Sequence, residues 1–345
     1  MAYLFCFQTI PFDRHLVYAL NNKTLCWEEN GMVKEHRAVA GKSFSARLRR
    51  DISRHWVAYL MFVPVLLWYI LFKYMPMQNI IIAFMDYNAF KGIEGSKWVG
   101  FLHFAKFFSM DNCWRLIRNT LLLNVYSVLF TFPAAIILAV MINEVHTTRA
   151  KRLIQTVSYM PHFISMVVVC GIIREFCSSQ GLINSVRMLF GAEERFNLLS
   201  DPSLYRTIHI ATDTWQDMGW SSIIYLATLS TADPALYEAA YLEGAGRLRR
   251  IWHVAVPVLI PIITVQLIVR LGYMMSSGFE KIVLLYNGLT YETADTISTY
   301  LYRYGLLNAK YSFGTAVGLF NSVCNIILLV IVNFTARYTT GKSLW

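Results

Sequence analysis

Residues 232–261, ADPALYEAAYLEGAGRLRRIWHVAVPVLIP, place a short polar segment between two long apolar runs. Asp233 is a favourable N-cap, and Pro234 stands at the first helical position, where its missing N–H costs nothing. We therefore predict a short helix that begins at residue 234 and is ended or sharply turned by Gly244 and Gly246. The basic RLRRIWHVAV that follows restarts the helix. Such a narrow, bent element is suited to insertion into a cleft of another protein, although a connecting loop rich in arginine also fits the pattern.

The composition indicates a polytopic membrane protein. The 345 residues are 56% hydrophobic and 15% charged, with a mean hydropathy of +0.43, which is too apolar for an ordinary soluble domain. The net charge of +10 comes in short basic bursts beside apolar runs. That is the distribution of the positive-inside rule rather than of a nucleic-acid-binding surface. We expect membrane lipid to be a partner, and no nucleic acid.

Six apolar runs are long enough to cross a bilayer core of about 30 Å as helices. Lys and Arg are denser before the first run and after the second, fourth and sixth runs than in the other connections, so both chain ends are predicted to lie in the cytoplasm. The sequence thus predicts an all-α integral membrane fold with six transmembrane helices, and a cytoplasmic position for the short helix between helices four and five. The predicted runs are residues 57–75, 118–142, 155–176, 207–230, 254–276 and 314–336.

The first 50 residues differ from the rest of the chain, because they are weakly patterned and contain no apolar run of membrane length. We predict a cytoplasmic N-terminal extension over residues 1–50, partly disordered, and one membrane domain over residues 51–345. Met32 begins a basic lead into the first apolar run, which makes it a candidate for the natural start of the chain.

Two of the predicted membrane helices contain charged side chains. Asp213 and Asp217 lie one helical turn apart in the fourth run, and the fifth contains Gln266 and Arg270. A charged side chain within hydrocarbon costs at least about 2.5 kcal/mol, so it should face the bundle interior or water. Either the two aspartates lie at the outer interface, with Arg270 reaching that interface or pairing with a carboxylate, or these groups line a solute path.

No catalytic or cofactor-binding constellation stands out in the sequence. The GKS triplets at residues 41–43 and 341–343 lack the glycine five positions earlier that a phosphate-binding loop requires. HExxH and GxSxG are absent, and the cysteines and histidines lack metal-ligand spacing. We expect no cofactor, metal or catalytic residue. The alternative class is an integral-membrane enzyme or assembly factor that uses the polar residues of helices four and five.

The polar segment matches a known signature. The segment resembles the EAA loop of permease subunits of binding-protein-dependent ABC importers. That signature is Glu-Ala-Ala, then three residues and a glycine, then nine residues, and then an ending of aliphatic residue, any residue, aliphatic residue and proline. The usual isoleucine and leucine of the ending are both valine here, which is a conservative departure. The matching positions are Glu238, Ala239, Ala240, Gly244, Val254, Val256 and Pro257.

The resemblance extends from about residue 50 to the C-terminus. Stretches that carry it include SYMPHFIS, GFEKIVLLYN and ADTISTYLYRYGL. The chain is most similar to sugar-importer permeases like the larger channel subunit of the maltose system, and among them to oligosaccharide or polysaccharide permeases. The resemblance implies a transmembrane subunit that carries a solute, most readily an oligosaccharide or other sugar, across the bacterial cytoplasmic membrane.

The resemblance also implies partners. In such importers the EAA helix is the coupling helix, which sits in a groove of a separate ATP-binding subunit, so this chain would not itself be an enzyme. Glu238 would pair with a basic group of the ATPase, while Ala239 and Ala240 would allow close approach. Gly244 would permit the bend. The implied partners are a pair of ABC ATP-binding subunits, a second permease and an extracellular solute-binding lipoprotein, which would meet the long first outer loop around Trp98 and the outer segment after the fifth span.

The solute pathway is harder to predict, because Trp and Tyr crowd membrane interfaces whatever their function. Sugar sites often combine aromatic faces with hydrogen-bonding side chains. The candidate pathway residues inside the predicted spans are Trp215, Gln216, Trp220, Tyr225, Gln266, Arg270, Asn321 and Asn325.

Overall fold

The computed structural model describes residues 44–276 and 278–341. This part of the chain is almost entirely helical. Residues 1–43 of the predicted N-terminal extension, including Met32, lie outside it. The α-helices are α1 (Phe44–Tyr69), α2 (Met75–Met77), α3 (Leu102–Phe108), α4 (Cys113–Tyr126), α5 (Phe132–Asn143), α6 (Thr148–Tyr159), α7 (Met166–Cys177), α8 (Leu182–Leu189), α9 (Pro202–Leu229), α10 (Pro234–Leu242), α11 (Arg247–Arg250), α12 (Val256–Gly272), α13 (Phe279–Leu285), α14 (Tyr291–Ala294), α15 (Ile297–Tyr300) and α16 (Tyr311–Thr340).

Short segments of other helix types connect several of these helices. The π-helical turns are Ile70–Tyr74, Ser127–Thr131, Ile251–Ala255 and Leu301–Leu307. The 3₁₀ helices are Gln78–Phe84, Met160–Phe163, Leu198–Ser200 and Gly288–Thr290.

The described residues form two compact units, one that ends at Lys73 and one that begins at Tyr74. The described part of the first unit is chiefly α1, which is kinked at His55 (φ −119°, ψ 27°) and contains Pro64. A proline inside a helix removes one backbone hydrogen bond. Because α1 begins at Phe44, the predicted domain boundary at residue 51 falls inside a helix.

Five helical segments in the described part of the chain are long and apolar enough to cross a membrane. All five overlap predicted runs: four overlap the first, second, fifth and sixth runs, and one overlaps the second half of the third run, over residues 166–176. The fourth predicted run forms the 28-residue α9, which has the necessary length but is too polar to belong to this set. The five are Asp51–Phe84, Cys113–Asn143, Met166–Leu189, Arg247–Gly272 and Tyr311–Tyr338.

The third predicted run, residues 155–176, is not one continuous helix. After α6 the chain forms a 3₁₀ turn around Pro161, and Ile164 and Ser165 are extended (ψ 134° and 146°). The Ser165 hydroxyl then accepts a hydrogen bond from Val168 N–H at 3.4 Å and caps α7. Proline limits the preceding backbone and serine competes for helical N–H groups, so the apolar run is broken and its membrane-length segment begins at Met166.

A β-hairpin, which the all-α prediction omitted, lies in the first loop of the second unit. Its strands β1 (Met85–Asn88) and β2 (Gly92–Trp98) pair antiparallel. The ring of Trp98 stacks on Phe84 at a centroid distance of 5.8 Å. The N–H of Tyr87 donates to the Ser312 hydroxyl at 2.8 Å, which ties the hairpin to the start of α16.

Helix α9 is central to the second unit. It packs along α5 and also contacts α6 and α12. Two of the clusters of buried apolar side chains include α9, one through Tyr225 and one through Tyr205. At the crossing with α6, a Cβ on Gly219 would overlap the backbone carbonyl of Ser158. This close approach fixes the position of the polar residues that α9 carries.

Candidate coupling helix and solute pathway

Helix α10 is capped at both ends by its own sequence. The Asp233 carboxylate accepts a hydrogen bond from Ala235 N–H at 2.9 Å, as expected for a helix that starts at residue 234. Gly244 has φ +74°, a left-handed conformation that costs other residues about 1–2 kcal/mol. The N–H groups of Gly244 and of the next residue donate to carbonyls in the last turn of α10, at 3.0 and 2.9 Å. This is the Schellman arrangement, and it produces the sharp end that the two glycines predicted.

One side of α10 and α11 is open. Neither helix contains a buried residue, and Glu238 and Ala239 are both exposed. A set of exposed apolar side chains beside a carboxylate is typical of a protein-binding surface. The large apolar side chains exposed on α10, α11 and the following turn are Leu236, Tyr241, Leu242, Leu248 and Trp252.

The other side of this segment is held to the end of α5. Arg250 Nη2 lies 3.4 Å from Glu144 Oε2, and both side chains are 17% exposed. The Tyr237 hydroxyl is buried close to Asn143 and Glu144, and burial raises the pKa of Tyr237. Helix α10 is thus fixed on one side and available for contact on the other.

The remainder of the signature leads into a membrane-length helix. The π-helical turn after α11 buries Val254, and Pro257 is the second residue of α12, directly after that turn. Because α11, the turn and α12 are continuous, a displacement of α10 can be transmitted to α12.

Asp213 on α9, whose side chain is 22% exposed, forms an ion pair with Lys281 on α13. Lys281 is only 2% exposed, and its Nζ also donates to the backbone carbonyl of His209 at 3.2 Å. The Nε2 atom of His209 lies 3.5 Å from Asp213 Oδ2. The pair therefore crosslinks two helices, and its charges compensate each other within the bundle.

Asp217 is the more accessible of the two aspartates. Its Oδ1 lies 3.0 Å from Nδ1 of His162, and its side chain is 44% exposed. The His162 ring stacks on Trp220 with centroids 4.7 Å apart and planes 1° from parallel. Asp217, His162 and Trp220 thus form a polar and aromatic cluster at the break between α6 and α7.

The other predicted pathway residues on α9 and α12 differ in accessibility. Arg270 Nη2 donates to the Ser127 hydroxyl at 2.5 Å. Tyr225 and Gln216 are buried, at 3% and 6% exposure, and Gln266 is half-buried. A role for these residues in a pathway remains a prediction.

Asn321 and Asn325 lie on α16. The Asn325 Oδ1 accepts a hydrogen bond from Met275 N–H at 2.8 Å, and its Nδ2 donates to the Ser276 hydroxyl at 3.0 Å. These bonds hold the chain where it leaves α12. The Oδ1 of Asn321 is buried without a hydrogen-bond partner among the described residues.

A groove of about 720 Å³ lies along α9 and the end of α4. Of the predicted pathway residues, it includes Trp215. We call it the Arg206 groove, and its lining includes Tyr126, Phe130, Ser203, Arg206, Thr207 and Trp215.

The sequence analysis did not identify Lys281 or Arg206 as candidates. Both stand just beyond the ends of predicted runs, at positions where a cation at the membrane interface is ordinary. The available signal was that each is an isolated cation: Lys281 follows the fifth run and precedes IVLLY, and Arg206 directly precedes the fourth run, which contains both aspartates.

The membrane-length helices and the capped, exposed helix α10 are features of a membrane transport subunit. The family described as "Binding-protein-dependent transport system inner membrane component" matches residues 115–339, and the chain belongs to this family. It is a permease subunit of an ABC importer rather than an enzyme, and the alternative of a membrane enzyme or assembly factor is not favoured.

Two relatives from Bacillus subtilis (strain 168) and one solved structure match over most of their lengths. Protein LplB is 42% identical over 309 residues, which are 89% of this chain and 96% of the relative. The polygalacturonan/rhamnogalacturonan transport system permease protein YteP is 41% identical over 81% of this chain and 87% of its own length. A chain of a bacterial alginate ABC transporter, solved with a periplasmic protein that holds an alginate pentasaccharide, is 40% identical, covers 86% of this chain and 100% of its own, and has a TM-score of 0.79.

Proposed function

We propose that this chain is a membrane channel subunit of an ATP-driven oligosaccharide importer in a bacterial cytoplasmic membrane, and that α10 is its coupling helix. The observation that carries the proposal is the open face of α10, with Glu238 and Ala239 exposed on a helix that is capped at both ends. On the opposite side the pair between Arg250 and Glu144 anchors the segment to the membrane helices.

The proposed topology has six membrane helices, with both chain ends in the cytoplasm and α9 as the additional span. A helix of 28 residues is about 42 Å long, more than the bilayer core of about 30 Å. Its polarity is compatible with a span inside the bundle, because Asp213 is paired with Lys281 and paired charges that face the interior are tolerated there.

Coupling then follows from the shape of the segment. Glu238 pairs with a basic group of one of two ABC ATP-binding subunits, and Ala239 and Ala240 let the two surfaces approach closely. When ATP binding closes the ATPase pair, α10 moves with it. The continuous connection through Pro257 to α12 passes this motion to the membrane helices, which alternate between inward and outward access.

Several relatives are named for saccharide transport, which supports an oligosaccharide as the solute. The polygalacturonan/rhamnogalacturonan permease and the alginate importer both have polysaccharides in their names. We place the solute path along the inner faces of α9, α12 and α16. The pathway residues that we propose are Trp215, Gln216, Trp220, Tyr225, Gln266, Arg270, Asn321 and Asn325.

Two further partners complete the proposed importer. A second permease forms the other half of the channel. An extracellular solute-binding lipoprotein meets the β-hairpin, where Phe90 at the turn is fully exposed and Trp98 is 58% exposed. The crystallised alginate importer complex with its periplasmic protein supports this arrangement.

Co-purification tests the proposal. We expect affinity purification of the tagged chain from gently solubilised native membranes to recover a second permease and an ABC ATPase. Glu238→Lys should reduce the recovered ATPase by about tenfold or more, because a reversed charge inside an interface leaves its partner unpaired. Glu94→Lys on the exposed part of β2 is the matched control and should leave recovery unchanged. Recovery of the chain without an ATPase would contradict the proposal.

A further inference from the structure

The Arg206 groove contains one charged side chain in an otherwise neutral lining. Arg206 is the only ionised residue among the residues that line it. Its Nη2 donates to the amide oxygen of Asn119 at 2.9 Å, while its Nε is buried without a hydrogen-bond partner in the described chain. The guanidinium is therefore oriented by a neutral acceptor and keeps its full positive charge.

A second cation lies beside the first. The backbone carbonyl of Glu292 accepts from Asn119 Nδ2 at 2.9 Å and from Arg118 Nη2 at 3.5 Å. Asn119 thus links Arg118 and Arg206. Within residues 44–276 and 278–341, neither guanidinium forms an ion pair with a carboxylate inside 4.0 Å. Positive charge that lacks a direct ion-pair partner and lies on low-dielectric walls attracts an anion.

The rest of the lining suits a sugar ring. Trp215 and Phe130 are 40% and 58% exposed, so flat apolar faces remain available for stacking. Ser203, three residues before Arg206 on α9, and Thr207, directly after it, are exposed hydroxyl residues. A mostly apolar pocket with a few polar groups is the usual form of a small-molecule site. Arginine binds carboxylates through two parallel hydrogen bonds.

We propose, on the basis of the importer function proposed above, that the Arg206 groove binds a saccharide unit that carries a carboxylate, a uronate, as it passes through the channel. The carboxylate meets Arg206, and the sugar ring lies against Trp215. Charge complementarity favours a uronate over a neutral sugar, because a neutral sugar leaves the Arg206 guanidinium without an anionic partner. A helix of the second permease in this groove would also leave the Arg206 guanidinium without an anionic partner, unless that helix supplied a carboxylate.

The test uses the complete importer reconstituted in proteoliposomes with its binding protein, and two probes of the same sugar chain with charged and with esterified carboxyl groups. These are trigalacturonate and its fully methyl-esterified form. Arg206→Gln should lower ATP-driven uptake of the acid about tenfold to a hundredfold, the range of one hydrogen bond to a charged group, and change uptake of the ester by less than about twofold. Uptake of the acid by Arg206→Lys should lie between the uptake by the wild type and that by Arg206→Gln, because lysine keeps the positive charge but cannot form two parallel hydrogen bonds.

Arg187→Gln is the matched control, because Arg187 lies outside the groove with its guanidinium over the Phe196 ring. It should alter uptake of neither probe. Equal loss of acid and ester uptake in Arg206→Gln, or loss of the second permease from the purified complex, overturns the proposal. If the wild-type importer takes up the ester but not the acid, the proposed recognition of uronates is overturned, while the proposed importer function stands. Absence of any ATP-driven oligosaccharide uptake overturns both.

Discussion

Replacing Gly244 with tryptophan should abolish ATP-driven uptake while the subunit remains inserted in the membrane. The reason is conformational and steric. Gly244 has φ +74°, so any larger residue there is strained by about 1–2 kcal/mol, and the Schellman end of α10 is weakened. The bulky ring would also project from the surface that we propose as the ATPase contact. Uptake and ATP hydrolysis, measured together in proteoliposomes, should show hydrolysis that no longer depends on the solute.

Asparagine at the same position is the matched control. Asparagine enters the left-handed conformation more readily than other non-glycine residues, so Gly244→Asn should retain much of the uptake. Gly246→Ala is a second control, because Gly246 has an ordinary φ of −66° and open space around its Cβ position. Normal uptake by Gly244→Trp, with subunit assembly intact, would refute the coupling role of this bend.

Loss of the buried cation on α13 should destabilise the protein severely. Lys281→Met leaves the Asp213 carboxylate without its ion-pair partner beside buried His209. Removal of one partner from a buried ion pair costs about 3–5 kcal/mol. The expected result is a large drop in the Tm of the purified subunit in detergent.

The double variant Lys281→Met with Asp213→Leu separates charge from packing. Because it removes both charges, it should recover most of the lost Tm. Lys97→Met on exposed β2 is the control for the loss of one positive charge and should leave the Tm unchanged. An unaltered Tm in Lys281→Met alone would show that the pair contributes little to stability.

Local signals in the sequence predicted much of the fold. The N-cap and proline at the start of α10 and the glycines at its end are short-range features, and the structure has them where they were expected. Five of the six apolar runs likewise overlap membrane-length helices, the third of them only from residue 166 onward. The break after Pro161 was missed because a count of apolar residues does not register a serine cap inside the run.

Contacts between distant residues could not be predicted in this way. Asp213 and Lys281 are 68 residues apart and meet only because α9 and α13 pack together. Asn119 joins Arg206 across a separation of 87 residues. Sequence periodicity places such polar groups on helices, but their partners depend on the tertiary arrangement of those helices.

Site-specific photocrosslinking in native membranes tests whether α10 contacts the ATPase. A photoreactive residue at Leu242, which is 85% exposed, should crosslink to an ABC ATP-binding subunit. The same probe at Leu189, also 85% exposed but on the predicted outer side, should give no such product. A crosslink to the ATPase from residue 189 and none from residue 242 would contradict both the docking site and the orientation of the chain.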